Sequence, residues 1–276
     1  MPELPEVEAF AQWLLPQVRG ARLESVDVPK PRLVRPLRPA AFARALAGCR
    51  IVGLRRVGKC LLWDLEHPRG RPELLVSHLG MTGAWHVLPE GQPLPRHAAV
   101  VFGLGGRTVV MEDARQFGHL RLGPGAVPAL GPEPLAAEFT AERLAAVLAG
   151  CRRPVKVGLM DPARLAGVGN LYASEALFLA GIDPTTPADA VPPEAVVRLH
   201  RVLREVLAAA VERNLRALHS DHPMLYRQGG ASGSPEQGGL WVYDREGHPC
   251  HRCGTPIVRF AQVGRSTFFC PSCQAR

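Results

Sequence analysis

Four cysteines close the chain in two pairs, Cys250-His251-Arg252-Cys253 and Cys270-Pro271-Ser272-Cys273, with sixteen residues between the pairs. Two knuckles of this spacing can arrange four thiolates tetrahedrally around one Zn2+. Four protein ligands leave no position for a reactive water, so the implied zinc is structural and His251 is not needed as a ligand. Segments 255–260 and 266–269 read as the two strands of a hairpin with Gly264-Arg265 at its turn. Arg265 could hold a phosphate there with its forked donors, and an exposed turn arginine is an equal reading.

The other end begins Met1-Pro2-Glu3-Leu4-Pro5-Glu6-Val7-Glu8. With Met1 removed, Pro2 presents a secondary amine of pKa about 8, partly neutral under working conditions. Such an amine can attack a carbonyl-like carbon and form an iminium, an electron sink for elimination. Glu3 and Glu6 could transfer a proton and stabilise charge beside it. A helix start dressed with acids is the plainer alternative. Between two helical stretches lies Leu165-Ala166-Gly167-Val168-Gly169-Asn170-Leu171-Tyr172. Its glycines permit a tight turn, Asn170 is a good N-cap for a helix from Leu171, and a helix N-terminus can take a phosphate. On local features alone an ordinary capped helical hairpin explains this stretch better.

The elements that must position these groups can be read from periodicity. Val7, Phe10, Ala11, Leu14 and Val18 are spaced as one face of a helix, with Pro5 suited to its first turn and Glu6 near its positive end. From about 23 to 122, short apolar runs alternate with Gly and Pro (51–54, 60–63, 73–76, 99–102, 108–111), the pattern of a sandwich or barrel-like sheet. The Gly- and Pro-rich stretch 123–134 reads as a boundary. Helices follow, one starting at Thr140-x-x-Arg143 and one at Pro192-Pro193-Glu194. A polar, Gly-rich loop over 218–239 precedes the cysteine module.

Composition narrows the classes. The chain has 276 residues, 46% apolar and 21% charged, the balance of a globular protein of two modest domains. No apolar run reaches the roughly 18 residues of a membrane span, and the acidic start is not that of a secretory signal. Seven cysteines, an odd number, point to a reducing compartment. The net charge is +8, and segment 19–59 carries eleven Lys or Arg against two acids. A polyanionic partner is permitted by that balance and not demanded by it.

Taken together, the Pro-Glu-Leu-Pro-Glu start, the Gly-Val-Gly-Asn turn and the terminal four-cysteine hairpin resemble the formamidopyrimidine-DNA glycosylase (Fpg/Nei) family over nearly the whole chain. Gly58-Lys59-Cys60-Leu61-Leu62, His78-Leu79-Gly80-Met81-Thr82-Gly83 and Leu130-Gly131-Pro132-Glu133-Pro134-Leu135 match further. Leu4-Pro5 is similar to the Fpg branch, whereas the Nei branch usually has Gly in place of that Leu. The resemblance implies an α+β multidomain fold: an N-terminal β-sandwich with a leading helix (1–130), a helical helix–two-turn–helix domain (131–239) and a C-terminal zinc-finger hairpin (240–276).

By the same resemblance, Pro2 is the nucleophile at the sugar of a flipped nucleotide, Glu3 its proton donor and Glu6 a supporting carboxylate. Lys59 contacts phosphate and assists β-elimination, and Arg265 grips the phosphates flanking the lesion and is linked to δ-elimination. Asn170, His97, Arg115 and His78 match DNA-contacting positions. Met81, Arg115 and Phe117 match the wedge that fills the hole left by an extruded base, although core packing would equally explain Met81 and Phe117. Cys250, Cys253, Cys270 and Cys273 hold the zinc.

The sequence departs from the family pattern at three places. Gln116 replaces an arginine before Phe117. Cys151-Arg152-Arg153 stands where a family lysine is expected, so Arg152 or Arg153 takes its role. Segment 216–226 replaces the usual lead into the loop that caps an oxidised purine. The expectation is a monomeric, cytoplasmic, bacterial glycosylase with AP lyase activity on oxidised bases in duplex DNA, without membrane association. The alternatives are a Nei-like enzyme for oxidised pyrimidines or hydantoins, a damaged-DNA binder that does not cut, and a zinc-ribbon nucleic-acid binder with an unrelated N-terminal domain.

Overall fold

The computed structural model describes residues 1–220 and 239–275. The departure from the family pattern at 221–226 and the Gly- and Ser-rich stretch 228–234 lie outside the described residues. The chain divides into two compact units, Met1–Pro2 with Glu6–Pro128 and Glu3–Pro5 with Ala129–Arg276.

The first unit is built on eight strands: β1 (Ser25–Asp27), β2 (Arg50–Val57), β3 (Cys60–Glu66), β4 (Pro72–His78), β5 (Ala84–Pro89), β6 (Ala98–Gly103), β7 (Arg107–Glu112) and β8 (His119–Leu122). They form two antiparallel four-stranded sheets, ordered β2-β3-β4-β8 and β1-β6-β7-β5. The sheets face each other through aromatic side chains. Trp63 of β3 meets Trp85 of β5 with ring centroids 4.9 Å apart, and Phe102 of β6 at 5.8 Å. All three rings are buried, and edge-on contacts of this kind add to the area they remove from water.

Helix α1 (Leu4–Val18) buries the expected stripe of Val7, Phe10, Ala11, Leu14 and Val18. Glu8 on this helix pairs with Arg56 of β2 at 2.9 Å, and that arginine is almost wholly covered. Helix α2 (Pro39–Leu46) interrupts the strand region, where the sequence pattern predicts no helix. It is two turns long, starts on Pro39 and buries Phe42 and Leu46, one turn apart on one face. So short a stripe is hidden in an Arg- and Pro-rich run.

The second unit holds α3 (Ala141–Leu148), α4 (Val155–Leu159), α5 (Asn170–Ala180) and α6 (Pro193–His219). Thr140 caps α3 as its spacing suggests, its hydroxyl accepting from the Arg143 N–H at 3.3 Å. Helix α5 is buried along nearly its whole length and stops at Gly181, whose φ of 68° only glycine adopts without strain. Leu144, Leu159, Leu165, Tyr172, Leu177, Leu199 and Leu203 belong to the core that surrounds it.

Strands β9 (Val258–Gln262) and β10 (Arg265–Phe269) form the terminal hairpin, backed by Phe178, Val242, Ile257 and Phe268. Their boundaries correct the sequence reading. Gln262 pairs with Arg265, so the turn is Val263-Gly264 and Arg265 opens the second strand. Among the described residues no helix is long and apolar enough to cross a membrane.

Candidate active site and zinc hairpin

Glu3 is buried, at 3% exposure, within the second unit. Its carboxylate accepts hydrogen bonds from the backbone N–H of Leu171 at 3.0 Å and of Tyr172 at 3.5 Å. These are the second and third residues of α5, whose N–H groups have no partner within the helix. The N-cap of α5 is Gly169, which has no side chain to offer them. This corrects the assignment of Asn170: it is the first helical residue, and a carboxylate 168 positions away in sequence caps the helix. The Leu4 N–H donates to the Gly167 carbonyl at 3.0 Å and closes the same joint.

The glycines follow from this contact rather than from the turn alone. A Cβ on Gly169 would overlap the Glu3 carboxylate, and one on Gly167, where φ is +77°, would press into the Leu4 side chain. Pro2, immediately before Glu3, is buried, and Met1 is 39% exposed. Glu6 is buried in the first turn of α1.

Asn170 serves a different purpose from capping. Its Oδ1 accepts from Lys156 Nζ at 2.7 Å, and its Nδ2 donates to the Ser266 carbonyl at 2.9 Å. Lys156 is 1% exposed and also donates to the Ser266 carbonyl at 3.0 Å and to Thr267 Oγ1 at 2.8 Å. Three acceptors match the three protons of an ammonium group. Burial drives its pKa down to about 7, with Glu3 opposing and Arg265 adding to the fall. Lys156 is the residue that sequence reasoning misses. The pattern assigns the role of the displaced family lysine to Arg152, which is exposed, or to Arg153, which pairs with Asp161 at 2.6 Å. A signal is present in the sequence all the same, since Lys156 is one of only three lysines.

Glu175 of α5 holds the segment that leads into the cysteine module. Its carboxylate accepts from the N–H groups of Trp241 (2.8 Å), Val242 (3.0 Å) and Tyr243 (2.9 Å). Burial raises its pKa and those three donors oppose the rise. The sulfur atoms of Cys250, Cys253, Cys270 and Cys273 lie within 4.8 Å of one another, with Cys253–Cys270 at 3.4 Å and Cys250–Cys273 at 3.9 Å. A tetrahedral zinc with bonds of about 2.3 Å sets its sulfurs about 3.8 Å apart, so the donor set fits one structural Zn2+. Arg265 is exposed at the start of β10.

In the first unit Lys59 occupies the β2–β3 turn behind Gly58, half-buried. One strand over, His78 accepts from the Gly80 N–H at its Nδ1 at 3.0 Å, which fixes the other ring nitrogen as the donor. Its ring stacks on His119, with centroids 5.1 Å apart and planes 5° from parallel. Burial, reinforced by His119 and Lys59, lowers the His78 pKa to about 4 and keeps it neutral.

Met81, Arg115 and Phe117 share a rim held together by Asp113. That buried carboxylate accepts from Thr82 Oγ1 at 2.7 Å and from the N–H groups of Arg115 (3.2 Å) and Gly118 (2.8 Å). Met81 is 39% and Phe117 47% exposed, so core packing does not explain them, and the Arg115 guanidinium lies 4.8 Å over the Phe117 ring. His97 is half-buried, and its carbonyl accepts from the Asp113 N–H at 3.0 Å.

The chain is similar to known proteins along nearly its whole length. Residues 1–120 match the formamidopyrimidine-DNA glycosylase N-terminal domain, 130–221 the formamidopyrimidine-DNA glycosylase H2TH domain, and 247–276 the zinc finger found in FPG and IleRS. The formamidopyrimidine-DNA glycosylase of Symbiobacterium thermophilum is 43% identical, covering 99% of this chain and 89% of its own. Among solved structures, Lactococcus lactis FPG (MutM) in complex with a Fapy-dG containing DNA superposes with a TM-score of 0.85 at 28% identity, covering 99% of this chain and 100% of that one. MutM in complex with carbocyclic 8-oxo-G containing DNA gives 0.86 at 28% identity, covering 100% of both. Fold and site thus define a DNA glycosylase with a zinc finger. The chain belongs to the formamidopyrimidine-DNA glycosylase family.

Two results should follow from this geometry. Gly169→Ala should cost about 1–3 kcal/mol in denaturant unfolding, the range of a lost cap or an orphaned buried donor. The same change should cost little in a Glu3→Ala background, because the clash partner is gone. The second result concerns pH. Unfolded lysine keeps its proton to about 10.4, whereas folded Lys156 releases it near 7. The cost of burying its charge is therefore full below pH 7 and is relieved as pH rises towards 10. The melting temperature of the native protein should gain on that of Lys156→Met over this range, and a constant gap would contradict the burial argument.

Proposed function

We propose that this enzyme is a bifunctional DNA glycosylase and AP lyase, excising 8-oxoguanine and formamidopyrimidines from duplex DNA through an imine on Pro2. The observation that carries the reading is the buried Glu3 carboxylate, fixed by two backbone donors of α5 directly after Pro2 in the chain. The solved relatives named above carry Fapy-dG and carbocyclic 8-oxo-G in their DNA, which supports oxidised purines as the lesion class.

With Met1 removed, the Pro2 nitrogen attacks C1′ of the lesion nucleotide, the C1′–N bond to the base breaks, and the base leaves with that electron pair and a proton. The Glu3 carboxylate takes up the proton that the Pro2 nitrogen loses on attack and gives it to the sugar ring oxygen as the ring opens and the iminium forms. Loss of a C2′ proton feeds electrons into the iminium and expels the 3′ phosphate, and a second elimination expels the 5′ phosphate. Lys59 and His78 hold phosphate in the first step, and Arg265 serves the second. Glu6 stabilises the charge that develops at the amine. Neutral His78 contributes a hydrogen bond without a charge.

Met81, Arg115 and Phe117, held outward by Asp113, fill the space of the extruded base. Asn170 and Arg152 contact the backbone, Asn170 by exchanging one of its present partners for a phosphate oxygen. The protein acts as a monomer in a bacterial cytoplasm, which keeps the four thiolates reduced for zinc.

Borohydride trapping tests this reading, using protein shown by mass to lack Met1. The duplexes carry 8-oxoguanine opposite cytosine, an oxidised pyrimidine, or an abasic site. Covalent adducts are expected on the 8-oxoguanine and abasic duplexes, reduced by about two orders of magnitude or more in Pro2→Gly. Adducts on the abasic and pyrimidine duplexes alone would move the substrate to the Nei-like class. No adduct on any duplex would leave a protein that binds damage without cutting.

A further inference from the structure

The β9–β10 turn is built from a residue that the turn disfavours. Gln262 pairs with Arg265, leaving a two-residue loop in which Val263 has φ of 49° and Gly264 φ of 71°. A two-residue hairpin turn with both central φ values positive selects Asn-Gly or Asp-Gly. A β-branched side chain in the left-handed region is strained, and such strain persists where something else selects it. Folding does not select it here. Val263 is 78% exposed, the most exposed large hydrophobic side chain among the described residues.

The surroundings indicate what would cover it. Val263 and Arg265 form the hairpin side of a groove of about 320 Å3 whose other side includes Val157, Met160 and Pro162. Arg153 and Lys156 also line it, and Asp161 is its one acidic member, already paired with Arg153 at 2.6 Å. The groove therefore sets an apolar wall beside cationic side chains, of which Lys156 and Arg153 already have acceptors of their own and Arg265 is the exposed one. A nucleic-acid backbone presents the matching pair, sugars with apolar faces next to anionic phosphates.

We infer that Val263 is a DNA-contact residue, packing its isopropyl group on a deoxyribose next to a phosphate held by Arg265, with the backbone running through this groove. The inference rests on the DNA-binding reading above. Burial of the side chain against the strand supplies on binding the stabilisation that folding does not.

The test uses full-length, zinc-loaded protein and an abasic-analogue duplex, with Val263→Asn and Arg265→Ala compared over a salt series. Val263→Asn should melt no lower than the native protein, because the turn now has its preferred residue. It should bind the duplex on the order of tenfold more weakly, the worth of one buried aliphatic group. Its slope of log affinity against log salt should stay unchanged, whereas Arg265→Ala should flatten that slope by about one phosphate's worth. Native affinity in Val263→Asn beside weakened Arg265→Ala would overturn the contact and leave only a strained turn. An altered salt slope in Val263→Asn would also overturn it, by showing a displaced arginine. Failure of the native protein itself to bind the duplex would instead refute the DNA-binding reading.

Discussion

A helix capped by glycine has N–H groups that its cap residue cannot satisfy, and in this enzyme the Glu3 carboxylate satisfies two of them. The Glu3 carboxylate on Leu171 and Tyr172 is buried, so breaking the contact would orphan the carboxylate and the helix donors together. That constraint fixes several residue choices. Gly169 must lack a side chain because the carboxylate occupies the space, and Gly167 must lack one because Leu4 does. Residues Glu3–Pro5 belong to the helical unit although they open the chain. Pro2, the proposed nucleophile, is bonded directly to the residue that is held in this way.

The same helix start carries a second, polar joint. Asn170 is released from capping and turns its amide towards the hairpin, where Lys156 binds Asn170, Ser266 and Thr267 at once. Glu175, further along α5, gathers three backbone N–H groups of 241–243. Helix and zinc hairpin are therefore coupled by buried, charge-assisted hydrogen bonds, which lose much when one partner is removed. Zinc fixes the knuckles of the hairpin, and these bonds fix its placement on the helix. Arg265 inherits its position from both.

Features with short signatures are legible in the sequence itself. The cysteine spacing specifies the zinc set, the 3–4 spacing of Val7, Phe10, Leu14 and Val18 specifies α1, and the apolar runs specify most of the strands. What escapes is decided by contacts between distant residues. Asn170 has the composition of an N-cap and loses that role to a carboxylate from the far end of the chain. Lys156 resembles any surface lysine of a short helix, and only the fold puts Thr267 and Asn170 around it. Asp113 is one acid among 25 Asp and Glu until it is seen tying Thr82 to the 115–118 backbone. The hairpin turn reads as Gly264-Arg265 rather than Val263-Gly264 because valine is a poor marker for a turn.

The chemistry proposed above depends on the Pro2 nitrogen acting as the attacking amine. The most direct measurement is to locate the DNA on the protein. After borohydride reduction on an abasic-site duplex, the adduct is digested and the modified peptide sequenced by mass spectrometry. The nucleotide remnant is expected on the N-terminal peptide, at the nitrogen of Pro2, with Met1 absent. A remnant on the peptide containing Lys59 would assign the attack to that lysine and contradict the account.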